Sequence, residues 1–346
     1  MVDLRSDTLT QPTRAMREAI ANAVVGDEQK REDPTVLELE RRGAELLGHE
    51  EAVFLPTASM ANQIALRILS EPGDELLADA HSHVFLYEQG GPAVHAGLVM
   101  KPLRAVDGRF DPETVRAAWQ PATTHTARTR LVSIENTNNS AGGRVWPVDE
   151  VAEVARVARE LDLRLHLDGA RLMNAAVAAG APASEYGRHF DTVTLCLSKG
   201  LGCPLGALLA GSSELMAKAR RGKHLFGGAM RQAGIVAAAG LHALDHHVER
   251  LADDHARARR LAEAWHAAGL AVRPECVETN FVQLDVAPLD ISRQEAIERM
   301  EREGVRLSVT IHPTVLRAVT HLDVGDEQVE HACEAVPRAL GLLASV

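Results

Sequence analysis

Short apolar runs alternate with longer amphipathic stretches along most of this chain, and few folds accommodate that rhythm. Residues 52–55, 131–134, 163–167 and 192–197 read as strands. Helical stretches precede or follow them, over 59–69 and most plainly over 149–161. Asp33 and Pro34 mark a further helix start, because the carboxylate can accept a backbone N–H and proline fits the first turn. Strands alternating with helices at this spacing predict an α/β domain with a mostly parallel sheet.

After about Gly240 the texture changes. A long, charged helix is predicted over 245–268, then a strand at 281–284, a helix at 292–303 and a strand at 305–308. This reads as a smaller α+β unit. The expected division is 1–250, an N-terminal arm and a large ligand-binding domain, and 251–346, a small C-terminal domain. No Pro/Gly-rich linker separates them, so they should pack closely.

Charge narrows the function. The chain carries 37 basic and 48 acidic side chains, a net charge of −11, which makes it a poor default binder of nucleic acid. No apolar run approaches the roughly 20 residues of a membrane span. Residues 1–11 lack an apolar leader, which predicts a cytoplasmic protein. Four cysteines (Cys196, Cys203, Cys276, Cys333) are too sparse for a disulfide framework or a paired zinc motif. Only five lysines occur (Lys30, Lys101, Lys199, Lys218, Lys223), so any chemistry needing an amine has few candidates.

In open α/β sheets, ligands bind beyond the carboxyl ends of the strands. The run 163–167 leads straight into Asp168, and 192–197 leads into Ser198-Lys199-Gly200-Leu201-Gly202. The run 52–55 leads into Pro56-Thr57-Ala58-Ser59 and a helix. Three adjacent-looking strand ends therefore offer a carboxylate, an amine and a helix start. Pyridoxal 5′-phosphate needs all three: an amine for its aldehyde, an anion beside its ring nitrogen, and N–H groups for its phosphate. Each element alone has a plainer reading as a buried strand-end Asp or an ordinary turn. The combination in this order is far more specific.

The residues also carry a resemblance. Leu4-Arg5-Ser6-Asp7-Thr8, Glu32-Asp33-Pro34-Thr35, Met60-Ala61-Asn62-Gln63, residues 83–91 (HVFLYEQGG), Glu135-Asn136-Thr137, 166–171 (HLDGAR), 197–202 (LSKGLG), 230–234 (MRQAG) and 317–323 (RAVTHLD) run nearly end to end. Together they resemble the low-specificity L-threonine aldolases of the β-eliminating lyase group, in the aspartate-aminotransferase-like (fold type I) superfamily. The resemblance implies reversible cleavage of a β-hydroxy-α-amino acid, such as threonine, into glycine and an aldehyde. It implies that Lys199 binds the cofactor aldehyde, Asp168 pairs with the pyridine nitrogen and His83 stacks on the ring. Thr57, Ala58 and Ser59 would hold the phosphate. Ser6, Arg171 and Arg317 would grip the substrate carboxylate, a role that suits the arginine fork. It further implies a homodimer or homotetramer with shared active sites, Arg231 lying in a stretch near the partner's site.

Three places, four residues in all, depart from the family pattern. Asn138 stands where the family has a histidine thought to touch the substrate hydroxyl, and since an amide cannot act as a base near neutral pH, the proton would go to His83, a water or another group. Ala58 replaces a glycine, a mild change if φ is negative there. Lys30 and Arg31 replace a tyrosine and a glycine. With Asn138, these two cations suggest a β-substituent pocket reshaped for a polar or anionic side chain; a solvated loop is the plainer reading. The departures leave β-elimination, transaldol transfer, racemisation and a β-hydroxyaspartate-type substrate open. His242 and His246 have the spacing of two zinc ligands, but no third ligand in a recognisable motif accompanies them, and no metal is expected. A non-catalytic assembly role would predict loss of Lys199 or Asp168, and both are present.

Overall fold

The structure, a computed structural model, describes residues 1–342. Strand β1 (Val2–Asp3) opens the chain. A seven-stranded sheet follows, built from β2 (Glu51–Leu55), β3 (Glu75–Asp79), β4 (Val99–Leu103), β5 (Thr129–Glu135), β6 (Arg164–Gly169), β7 (Thr192–Cys196) and β8 (Ala207–Gly211). Its order is β2-β8-β7-β6-β5-β3-β4. Neighbours from β7 across to β4 are parallel, while β8 runs against both β7 and β2. Helices cover both faces, so the central strands are buried on both sides and read as continuous apolar runs rather than alternating ones.

Asp33 caps the helix Pro34–Leu47 as expected, its Oδ1 accepting from the Val36 N–H at 3.0 Å. Its Oδ2 accepts from the backbone N–H of Gly26 (3.1 Å) and Gly234 (2.9 Å), so one buried carboxylate ties three segments together.

Strand β8 changes the expected layout. β6 and β7 are neighbours, with Asp168 opposite Thr194. The strand carrying 52–55 is not beside them, because β8 lies between β2 and β7. Lys199 accordingly sits in the connection of an antiparallel pair rather than in a strand-to-helix crossover. Gly202 has φ +76° there and supplies the left-handed step that this tight connection needs.

The smaller unit holds β9 (Phe281–Asp285), β10 (Val305–Arg306), β11 (Ser308–Val309) and β12 (Val315–Val319), with β12 between β11 and β9. The single strand expected over 305–308 is split: β10 pairs with β1, and β11 pairs with β12. Val2 and Leu4 are buried in the core of this unit, so the N-terminal arm does not belong wholly to the large domain. The helix expected over 245–268 is also two, Gly234–His246 and Leu251–Ala267. No Gly or Pro marks the break. It is held from outside, where His247 Nδ1 lies 2.7 Å from the Leu201 carbonyl in the Lys199 loop. Among the described residues no helix is long and apolar enough to cross a membrane.

Candidate active site

A cleft of about 280 Å³ opens where the carboxyl ends of β5–β7 meet the smaller unit. Lys199, His83, Arg171, Arg317 and Ser6 all stand in its wall, as do Tyr87, Glu135 and Asn139. Sequence reasoning thus brought five of these groups to one place from distant parts of the chain.

Asp168 is the next-to-last residue of β6 and is 2% exposed. Its Oδ1 accepts from the Ala170 N–H at 3.1 Å, and its Oδ2 accepts from Asn62 Nδ2 at 2.8 Å. The same Asn62 amide donates to Glu88 Oε1 at 2.9 Å. Asn62 Oδ1 in turn lies 3.1 Å from His166 Nε2, and His166 Nδ1 lies 2.9 Å from Thr192 Oγ1. Burial lowers the His166 pKa to about 4, so this ring is neutral at pH 7. Its single proton then belongs on Nε2, facing Asn62, while Thr192 donates to Nδ1. This chain fixes the amide so that both its N–H bonds point at carboxylates.

Glu88 is the second of those carboxylates. It is buried, takes the Gln63 amide as well, and lies 2.8 Å from His83 Nδ1. Burial works against a charge on His83, but the Glu88 hydrogen bond and the Asp168, Glu88 and Glu135 carboxylates outweigh it and raise the pKa. His83, Glu88 and Asp168 bring ligand-type atoms within 4.8 Å of one another. The bonds just described already join them, through Asn62 between the two carboxylates.

The helix that supplies Asn62, Ala58–Leu69, begins at the same edge of the sheet. Thr57 caps it by accepting from the Met60 N–H at 3.1 Å. Ala58 and Ser59 lie in the first turn, where backbone N–H groups have no partner within the helix. Ala58 is helical, with no positive φ, so a side chain in place of glycine costs little there. Thr57 and Ser59 are exposed and stand outside the wall of the cleft.

Arg171 is less free than its sequence suggests. Its Nε and Nη2 donate to the two oxygens of Asp7 at 2.7 and 2.6 Å, and both side chains are buried. Burial alone would raise the Asp7 pKa, but Arg171, with Lys199 and Arg317 nearby, holds it down to about 2. Arg317 Nη1 donates to Asn139 Oδ1 at 2.9 Å, its Nε to Ser308 Oγ at 3.2 Å, and its Nη2 to the Arg5 carbonyl. Both guanidinium groups lie over the Phe281 ring, at 4.8 and 5.3 Å from its centroid. Ser6 Oγ accepts from the Thr8 N–H and hydroxyl.

Two sequence expectations are not met in this chain. Asn138 does not face the cleft. Its Nδ2 donates to Asp79 Oδ2 at 3.1 Å and its Oδ1 accepts from the Ala141 N–H at 2.9 Å, beside a separate cavity of about 530 Å³. A backbone bridge between residues 138 and 144 sets that direction, and Asn139 faces Arg317 instead. Lys30 is exposed at the end of a short turn, Glu28–Lys30, and is not in the wall. Arg31 follows it with φ +58° and pairs with Glu40 at 3.3 Å. Of the histidines read as possible zinc ligands, His242 and His246 have ring centroids 4.6 Å apart, while His247 Nδ1 is engaged by Leu201.

Asp7, Asn62, Glu88, Glu135 and Asn139 received no role from the sequence. Glu135 had a usable signal: like Asp168 it ends an apolar run, and the two are register partners across β5 and β6.

These features define a class first. The sheet order, the lysine on the β7–β8 connection and the buried carboxylate at the end of β6 are those of an aspartate-aminotransferase-like α/β fold. A solved variant of Thermus thermophilus aspartate aminotransferase superposes with a TM-score of 0.71 at 19% identity, over 98% of this chain and 91% of that one. Within that class the chain belongs to the beta-eliminating lyase family, whose model matches residues 3–287. A curated relative, the low specificity L-threonine aldolase of Escherichia coli (strain K12), is 41% identical over 330 residues, covering 95% of this chain and 96% of its own. A solved threonine aldolase from Leishmania major matches the fold with a TM-score of 0.85 at 17% identity, over 99% of this chain and all of that one.

Proposed function

We propose that this chain is a pyridoxal-phosphate-dependent aldehyde-lyase. It cleaves L-threonine, L-allo-threonine or a related β-hydroxy-α-amino acid reversibly into glycine and an aldehyde. The observation that carries this reading is the shared cleft, in which an amine, a histidine and two arginines face the same space beside a buried carboxylate. The family membership and the 41% identity to an L-threonine aldolase support the same reaction.

The residues suit the cofactor. Lys199 is the only lysine in the cleft wall. Asp168 is fixed from two sides and has Thr194 opposite it, whose Oγ1 is buried without a partner. Ala58 and Ser59 present free N–H groups at a helix start, favourable for a phosphate. When bound, pyridoxal phosphate supplies an electron-accepting ring next to the substrate Cα.

The chain's own residues then divide the work. Lys199 would hold the cofactor aldehyde, Asp168 would pair with the ring nitrogen, and His83 would stack on the ring. Arg317 takes the substrate carboxylate, with Ser6 beside it. Arg171 acts mainly by fixing that corner, since Asp7 occupies most of its fork. Holding the carboxylate fixes the direction of the Cα–Cβ bond, and orientation of this kind supplies much of the rate.

A different reaction or an anionic β-substituent would rest on Asn138, Lys30 and Arg31, and none of the three lines the cleft. A homodimer or homotetramer with shared sites accounts for the exposure of Thr57 and Ser59 and for that of apolar residues such as Val24 (68%) and Leu225 (64%). Aldehyde release from threonine, coupled to alcohol dehydrogenase and read as NADH loss, tests the reaction. No aldehyde from threonine, allo-threonine or phenylserine would exclude it. Light scattering on the loaded enzyme reads the assembly, and a monomer at working concentration would exclude shared sites.

A further inference from the structure

We propose that Glu135 is the catalytic base of this site: its carboxylate takes the β-hydroxyl proton of the substrate as the Cα–Cβ bond breaks. The proposal rests on the aldolase reading above. That reaction needs a proton acceptor at the β-oxygen, and Asn138 supplies none, both because it is an amide and because it faces Asp79.

The titratable groups in the cleft wall are few. They are His83, Tyr87, Glu135, Arg171, Lys199 and Arg317. Guanidinium and phenol groups are donors at neutral pH. Lys199 leaves the cofactor aldehyde when the substrate amine takes its place, so its freed amine is the competing acceptor that Glu135→Gln tests against. His83 is bonded to Glu88 through Nδ1, and the carboxylates around it raise its pKa, which weakens the case for it as the acceptor. Glu135 is the one carboxylate in the wall.

Its placement suits the task. Oε2 accepts from the His83 backbone N–H at 2.7 Å and Oε1 from the Asn139 N–H at 2.8 Å. Those bonds fix the carboxylate at the end of β5, and each oxygen keeps a second lone pair. The groups facing it are Asp168 from β6, His83 and Tyr87 from the 83–87 turn, Arg171 after β6 and Lys199 after β7. Burial and then the Asp168 charge raise its pKa, against the two backbone N–H bonds and His83, to about 7. A base poised near the working pH is the efficient arrangement.

The step balances. The hydroxyl proton moves to Glu135 and the O–H electron pair becomes the second bond of the aldehyde carbonyl. The Cα–Cβ pair stays with Cα until a proton joins it, which gives glycine and leaves Glu135 ionised again once its own proton is released.

The test compares two reactions of the loaded enzyme. Exchange of the glycine Cα hydrogen in D2O needs the same cofactor and carboxylate grip but no acceptor for a hydroxyl proton. Glu135→Gln is expected to lower kcat for threonine cleavage by about 100-fold or more, the usual scale of general-base catalysis. Glycine exchange and the cofactor dissociation constant, read by absorbance, should stay within about threefold. The wild type should gain kcat/KM as pH rises through about 7, and the variant should lose that limb. Glu135→Asp, which keeps a carboxylate, should restore part of the rate and the limb. Equal losses in cleavage and exchange, or cleavage that survives Glu135→Gln with its pH limb intact, would overturn the assignment. A wild type that exchanges glycine but releases no aldehyde would sink the aldolase reading, and the base assignment would fall with it.

Discussion

The buried pair of Asp7 and Arg171 makes the sharpest stability prediction. The perturbation is Asp7→Asn, which keeps the shape and removes the charge. Arg171 would then keep at most one of its two Asp7 acceptors, now at 2.7 and 2.6 Å, besides the longer contact to Asn139 Oδ1 at 3.4 Å. Two magnitudes bear on the outcome. The Asp7 pKa falls from 3.8 to about 2, and at about 1.4 kcal/mol per unit that shift corresponds to roughly 2–3 kcal/mol of stability at neutral pH. Removing one partner of a buried pair typically costs more, about 3–5 kcal/mol, because the remaining charge is uncompensated. The second effect dominates, so a loss of about 3 kcal/mol or more is expected. At about 2.1 cal/mol/K per residue over 346 residues, 3 kcal/mol lowers Tm by about 4 °C if the chain unfolds in one step. The assay is thermal and urea unfolding of the loaded enzyme at fixed protein concentration, from pH 7 down to pH 2. A carboxylate with a depressed pKa contributes its stability above its unfolded value of 3.8 and loses it as pH falls towards 2. The wild type should therefore weaken across that window, and Asp7→Asn should weaken less steeply there. A variant within 0.5 kcal/mol of wild type at pH 7, with the same acid limb, would refute the reasoning.

Other substitutions test the rest of the site. Lys199→Ala should abolish turnover, and borohydride treatment, which should add the cofactor's mass to the wild-type polypeptide, should leave the variant's mass unchanged. Asn62→Ala takes from Asp168 Oδ2 the amide that holds it, at about 1–3 kcal/mol for an unsatisfied buried group, while Glu88 keeps Gln63 and His83; weaker cofactor retention and a shifted pH titration of the cofactor absorbance should accompany the drop in Tm. Arg317→Ala removes a charged hydrogen-bond donor worth about 1.5–3 kcal/mol, so KM for threonine should rise about 10- to 100-fold with a smaller change in kcat.

The parts of the fold legible in the sequence are those whose burial is uniform. β5, β6 and β7 are covered on both faces, so their apolar runs stand out and the polar residues that end them mark the ligand edge. β3 hides for the opposite reason. It begins with Glu75 and ends with Asp79, yet both are buried: Glu75 Oε2 takes the Thr129 hydroxyl at 2.8 Å, and Oε1 takes Gln120 at 2.7 Å. β8 is short and rich in small residues and has no crossover helix before it, so nothing announces a strand or its reversed direction. The same limit applies to the site. Lys199 and Asp168 are positioned by local rules, whereas the fork of Arg171 is claimed by a residue 164 positions away. Whether residue 138 or 139 faces the cleft depends on one backbone bridge in the loop after β5.

Charge is the clearest case of information that a composition cannot carry. The chain as a whole is acidic, with a net charge of −11. At the site, Asp7, Glu88, Glu135 and Asp168 are set against Lys199, Arg171, Arg317 and a His83 held towards its charged form. The excess acid therefore lies elsewhere on the molecule, and the cleft is close to balanced before any ligand enters. The four carboxylates differ in the groups that hold them. Asp7 has a guanidinium fork, Asp168 has an amide and a backbone N–H, and Glu88 has two amides and an imidazole. Glu135 has two backbone N–H groups, is buried and sits next to Asp168, and burial and then that charge push its pKa up to about 7.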